Sequence, residues 1–184
     1  RVDEDLKRVL DELKKRVEDL NEENKKTVED ISRRVREVIK RNEDMLREVK
    51  KRAREAISRI SDERLVRRIE ELLKRLEETS RKLARDVEEI VKDIERSSEE
   101  LIRDNERLVR ELAREVEEVS RRGESEEVVR ELIKKMRDVV RKSEKDNKDH
   151  SERVKRILKR IEERAREHTR RLEEVLRKVE EDVR

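Results

Sequence analysis

Residues 20–49 read LNEENKKTVEDISRRVREVIKRNEDMLREV, and the spacing inside this stretch decides the fold. Its inward positions are Leu20, Asn24, Thr27, Ile31, Val35, Val38, Asn42, Met45 and Val49, each three or four residues from the last. From Asn24 to Asn42 five steps cover 18 residues, a spacing of 3.6, the natural pitch of an α-helix. A heptad would impose a left-handed supercoil, whereas an 18-residue repeat implies helices that run straight and untwisted. The stripe extends back through Leu6, Val9, Leu13 and Val17 and forward through Ala53, Ala56 and Ile60.

Beyond Ile60 the phase breaks. The same stripe would bury Glu63, Arg67 and Glu71, while the next apolar residues are Leu65, Val66, Ile69, Leu72 and Leu73. Ser61 and Asp62 are helix-capping types, and Asp62 and Glu63 suit the positive end of a new helix. A second break comes after Val119: the stripe would demand Gly123, Glu126 and Arg130, yet Val128, Val129, Leu132 and Ile133 come next. Gly123 suits the left-handed residue just past a helix end, and Ser125 can cap the next helix. The spacing therefore predicts helices over about 1–60, 62–121 and 125–184, with turns near 61–62 and 122–125. Each would be roughly 90 Å long at about 1.5 Å per residue.

Short turns between equal helices make neighbours antiparallel. The expected fold is all-α: a straight, antiparallel, up-down-up three-helix bundle of about 60-residue helices, forming one domain over 1–184. Charge agrees with it. The first helix carries 19 basic and 16 acidic residues, the second 15 and 19, the third 20 and 16. A negative middle helix between two positive ones favours one packed unit. Apolar doublets such as Val38-Ile39, Ile90-Val91 and Ile157-Leu158 widen each stripe enough to touch two neighbours.

Composition excludes several functions. Charged residues make up 58% and hydrophobic ones 30%, with one glycine and no aromatic, proline or cysteine. So much charge accompanies disorder when the net charge is large and the apolar residues lack a period. Here 55 basic residues nearly cancel 52 acidic ones, leaving +3, and the period is strict. The absence of cysteine rules out a disulfide framework and a thiolate metal site. Apolar runs never exceed two residues, so nothing reads as a membrane span or a signal peptide, and no targeting signal is evident. The pI of about 9.1 raises nucleic-acid binding. Yet bases and acids alternate everywhere, and no aromatic is present to stack on a base, so the pattern is a solvated surface. Membrane-surface binding fails for the folded chain, because the apolar faces are occupied by one another and the usual aromatic anchors are missing.

On the core stripe, polar residues recur with the same period. Asn24 and Asn42 are 18 apart, as are Thr79 and Ser97, Ser80 and Ser98, His150 and His168, and Ser151 and Thr169. Antiparallel helices bring together positions whose numbers have a constant sum. For the first two helices that sum is 122, met by Asn24 with Ser98 and by Asn42 with Ser80. For the last two it is 248, met by Ser98 with His150 and by Ser80 with His168. One expected layer is thus Asn24, Ser97, Ser98, His150 and Ser151, and a second is Asn42, Thr79, Ser80, His168 and Thr169. A third, looser set comprises Asn21, Asn105, Ser143 and Asn147. Buried polar groups without partners cost on the order of 1–3 kcal/mol, so registers that separate these residues are penalised.

The 18-residue repeat, aliphatic core, Glu/Lys/Arg surface and polar layers together resemble computationally designed helical bundles with buried hydrogen-bond networks. The likeness spans the whole chain and rests on pattern. In that class, histidine-bearing networks have served as pH-sensitive elements, which the resemblance extends to His150 and His168.

Those histidines admit three readings: neutral members of a structural network, a pH-responsive pair, or metal ligands. The last fails because each layer offers one histidine and no cysteine, whereas zinc needs three or four good ligands. Serine beside histidine suggests a nucleophile and base, but three close-packed helices leave no cleft, oxyanion hole or orienting carboxylate. Acidic pairs such as Glu88-Glu89 and Glu173-Glu174 fall on solvated faces. The sequence thus reads as a non-enzyme that needs no cofactor, metal or partner, monomeric, with self-association left open. Two functions remain: an inert scaffold, or a conformational switch driven by protonation of His150 and His168. A groove for a partner helix is a third, weaker reading.

Overall fold

Nothing in the three stripes interrupts a helix: proline is absent, and the one glycine falls where the second stripe ends. The computed structural model describes residues 2–183, which form three α-helices and, among the described residues, no strand. They are α1 (Val2–Ile57, 56 residues), α2 (Glu63–Arg122, 60 residues) and α3 (Glu126–Val183, 58 residues). The expected helix ends at positions 1 and 184 lie outside the described residues. Acids occupy the first turns (Asp3, Glu4 and Asp5; Glu63; Glu126 and Glu127), where the helix dipole favours them.

The first turn comes three residues earlier than the stripe suggests. Ser58 N still donates to Arg54 O at 3.1 Å, but Arg59 N turns to Ala56 O and Ile60 N to Ile57 O, at 3.1 and 3.0 Å. These shorter-range bonds tighten the helix and end it at Ile57. Ile60 nonetheless packs against the hydrophobic core, which is why the apolar phase reads on past the helix end. Asp62 caps α2: its Oδ1 accepts from Arg64 N at 3.0 Å and its carbonyl from Val66 N at 3.1 Å. At the second turn Gly123 adopts φ +61°, with open space where a Cβ would stand, so the backbone alone requires glycine there. Ser125 O then accepts from Val129 N at 3.2 Å and starts α3.

Where the sequence reading has one bundle over 1–184, contacts group the chain into two compact units, each drawing a segment from all three helices. The first comprises Arg1–Asp30 and Asp93–Lys155. Its core gathers Leu6, Leu10 and Leu13 from α1, Leu112 and Val116 from α2, and Val129, Leu132 and Met136 from α3. Arg16–Glu144 (3.0 Å) and Lys135–Glu115 (2.7 Å) pair across its surface. The second unit comprises Ile31–Lys92 and Arg156–Arg184. Its core gathers Val49, Ala53 and Ala56, then Ile69, Leu73 and Leu76, then Leu172, Leu176 and Val179. Arg34–Glu162 (2.8 Å), Arg52–Glu180 (2.7 Å), Arg164–Asp86 (2.9 Å) and Lys50–Glu77 pair across it. The exposed pairs among these contribute at most about 1 kcal/mol each, so apolar burial is the larger contribution in each unit.

Candidate functional site

Three polar sets interrupt the apolar cores. The most completely bonded is the set that looked loosest by register. In the first unit Asn105 of α2 donates from Nδ2 to Asn21 Oδ1 of α1 at 3.2 Å, and its Oδ1 accepts from Ser143 Oγ of α3 at 3.1 Å. Asn147 Nδ2 reaches the Leu20 carbonyl at 2.7 Å. All four side chains are buried, Asn105 at 2% and Ser143 at 1% exposure. One short amide on the middle helix thereby ties all three helices together.

The Asn24 layer is only half formed. Ser98 Oγ donates to Asn24 Oδ1 at 2.5 Å, and both side chains are buried. His150 does not join them. It is half-buried, and its Nε2 is shut away from solvent without a partner, as is Asn24 Nδ2. Ser97 and Ser151 are half-buried and extend no hydrogen bond to another helix, so the expected five-residue layer reduces to a pair. Ser98 gives its proton to Asn24, and the imidazole borders a groove of about 500 Å³ beside Asn24, Asn147 and Ser151.

The Asn42 layer bonds differently. Thr169 Oγ1 lies 2.7 Å from Asn42 Oδ1 and 3.0 Å from the Ala165 carbonyl one turn back on its own helix. Ser80 is therefore free to meet His168, with Oγ and Nε2 2.5 Å apart. His168 is 4% exposed and Asn42 5%. Thr79 corrects the reading: it is exposed and returns its hydroxyl to Arg75 O at 2.9 Å. Bonding to its own helix satisfies it locally and takes it out of the layer.

Two further serines carry buried or enclosed hydroxyls that the stripe alone does not single out. Ser32 is 8% exposed, and Ser120 Oγ is enclosed without a partner. Both hold the second place of a stripe doublet, Ile31-Ser32 and Val119-Ser120, and Asn21 beside Leu20 does the same. Testing every doublet for polar as well as apolar members would have found them.

Electrostatics bears on both imidazoles in one direction. Burial pushes the pKa of His150 below the ordinary histidine value, and the Arg153 guanidinium adds to the effect. Burial likewise lowers that of His168, with Arg171 and then Arg164 contributing. A protonated ring needs two acceptors; His168 has Ser80 at Nε2, while its Nδ1 is buried with no partner.

A serine–imidazole pair is the opening geometry of acyl transfer, but that chemistry also needs a carboxylate on the second ring nitrogen and donors for an oxyanion. Here that nitrogen is unpartnered, and Arg171 and Arg164 both disfavour a charged ring. Among the described residues no group of three or more His, Cys, Asp or Glu side chains could hold a metal ion. No helix among them is long and apolar enough to cross a membrane. No family profile, curated protein or solved structure matches this chain.

Proposed function

We propose that this chain is a designed structural scaffold without biochemical activity of its own, a straight up-down-up helical bundle whose register is specified by buried polar networks. The observation that carries this reading is the bond chain Asn21–Asn105–Ser143, which joins α1, α2 and α3 through side chains almost wholly removed from solvent. Buried amides held so are costly to misplace and contribute little net stability, which is the signature of specificity rather than strength. The helix directions have support as well. Within their units Arg16–Glu144, Arg34–Glu162 and Arg52–Glu180 each join residues 128 apart, as parallel neighbours would. Asn105–Ser143 and Ser80–His168 each join numbers summing to 248, as antiparallel neighbours would. The 18-residue spacing of those arginines supports untwisted helices. A design origin is supported by the strict repeat together with a composition lacking every aromatic residue, proline and cysteine. In this reading the scaffold needs no cofactor, nucleic acid, membrane or partner.

The test is to replace the polar members of all three sets by aliphatic residues and compare amide spectra and hydrogen exchange with the parent. The parent should give one set of resonances, and the apolar variant a more heat-resistant but heterogeneous ensemble. A single set of sharp resonances from the apolar variant would defeat the proposal.

A second reading, a protonation-driven switch, is favoured by one observation: both histidines sit where burial opposes their charged form. It predicts acid sensitivity that disappears with His150→Asn and His168→Asn together.

A further inference from the structure

Three buried polar atoms that lack a partner belong to residues lining one groove of the first unit: Asn24 Nδ2, Asn147 Oδ1 and His150 Nε2. Asn24 is 5% and Asn147 9% exposed, so bulk water does not readily serve them. Bonds within the unit fix which atom each amide offers. Asn24 Oδ1 accepts from Ser98 Oγ and Asn147 Nδ2 donates to the Leu20 carbonyl, so the first amide offers a donor and the second an acceptor. The second unit differs at the equivalent level, 18 residues on: Ala165 stands for Asn147, and His168 Nε2 pairs with Ser80. Among the described residues, Asn42 Nδ2 is the one partnerless atom whose residue lines the groove there.

We propose that the groove between α1 and α3 in the first unit binds a small uncharged primary amide, whose carbonyl oxygen accepts from Asn24 Nδ2 and whose two N–H groups donate to Asn147 Oδ1 and His150 Nε2. One acceptor and two donors complement the three atoms. A carboxylate would oppose Asn147 Oδ1, an ammonium would oppose the Asn24 amide hydrogens, and an alcohol has one proton for two acceptors. The rim favours neither sign of charge, since Arg16, Lys148 and Lys155 are balanced by Glu23, Glu144 and Glu152. Burial, then Arg153, hold His150 toward its neutral form, whose bare nitrogen accepts. The three atoms lie just under the groove wall, and the broad terminal torsions of Asn and His bring them to it with a small turn. At about 500 Å³ the groove falls within the roughly 300–1,000 Å³ typical of small-molecule sites, and Leu20 lines it to take an alkyl stub. Such binding asks no catalysis of the chain, so its failure leaves the scaffold reading untouched.

The probe is acetamide, titrated against the full, isotopically labelled chain, with N,N-dimethylacetamide, which accepts but cannot donate, in parallel. Acetamide should shift the side-chain amide signals of Asn24 and Asn147 saturably at millimolar concentration, while the signal of Asn42 changes only linearly. Dimethylacetamide should bind about tenfold more weakly. Acetamide should lose a similar factor on Asn147→Ala, which copies the equivalent place in the second unit. If circular dichroism shows that variant unfolded, Overhauser contacts from the acetamide methyl to Leu20 and Asn24 of the parent decide in its place. Linear shifts at Asn24 and Asn147, or no such contacts, would overturn the proposal and make water the partner of those atoms. Equal affinity for the two amides, or of parent and variant for acetamide, would mean an adventitious additive only and would overturn it as well.

Discussion

Truncating Asn105 to alanine isolates what the best-formed network does for stability. The side chain is 2% exposed and holds two partners, Asn21 Oδ1 at 3.2 Å and Ser143 Oγ at 3.1 Å. Asn105→Ala leaves both atoms in side chains that are themselves 7% and 1% exposed, so water does not readily replace the lost amide. Each orphaned buried group costs about 1–3 kcal/mol. Ser143 recovers part of its loss by turning its hydroxyl to a carbonyl one turn back on α3, so the expected net destabilisation is about 2–4 kcal/mol. Converting Asn21, Asn105 and Ser143 together to leucine, valine and isoleucine orphans nothing in that bond chain and should be neutral or stabilising, by the logic that governs buried polar groups replaced as a set. Guanidinium unfolding followed by circular dichroism measures both, with an unchanged m-value as the check that the unfolded state is the same. If Asn105→Ala stayed within about 0.5 kcal/mol of the parent, the bonds would not be formed in solution. If the triple replacement cost as much as the single one, the asymmetry between losing one partner and losing all would be wrong.

Acid should weaken the fold through the histidines. Their pKa values are lowered in the folded state, so below about pH 6.5 the unfolded chain binds protons that the folded core resists, and stability falls as pH drops until the folded values are passed. The parent should therefore lose more stability between pH 7 and pH 5 than the His150→Asn, His168→Asn variant, as read from melting or guanidinium midpoints; equal losses would leave the histidines without a role. Gly123→Ala, at φ +61°, should cost about 1 kcal/mol without changing helix content, and a smaller effect would mean that the turn adopts another conformation in solution. Ser151→Thr should stabilise the first unit by up to about 1 kcal/mol and bring Ser98 within hydrogen-bonding range of His150, visible in the imidazole nitrogen shifts; unchanged shifts would refute it.

Much of the helical content was legible because phase is a strong signal. An apolar stripe that returns every 18 residues admits one helical spacing, and its breaks marked both turns to within a few residues. The error at Ile57 has a physical cause: Ile60 keeps the stripe in phase because it packs on the core from a tight turn, and burial does not require helix. Division into two compact units was not legible, since nothing in composition or phase changes near residues 31, 93 or 156. Residue sums set Asn24 level with Ser98 and Ser80 level with His168, and each of these pairs lies within hydrogen-bonding distance, because two facing helices fix which residues share a level. They could not say which way a hydroxyl would turn. Thr79 satisfied its own helix, and His150 found no partner, because rotamer and proton assignments depend on local competition that periodicity does not encode.

The contrast between the two repeated layers rests on one methyl group. Position 151 is serine and its repeat, 169, is threonine. A β-branched side chain on a helix has few rotamers, and its hydroxyl is held toward the preceding turn, as Thr169 is toward Ala165 O. From there the hydroxyl also reaches Asn42 Oδ1, and Ser80 Oγ pairs with the imidazole Nε2 instead. Serine at 151 has no such restraint and extends no bond across. Asn24 Oδ1 then takes the Ser98 proton, and His150 is left with a buried, unpartnered nitrogen. Identical residues at the asparagine, serine and histidine positions thus come with two cross-helix bonds in one unit and one in the other. A repeated sequence pattern sets which groups share a level without setting which of them bond.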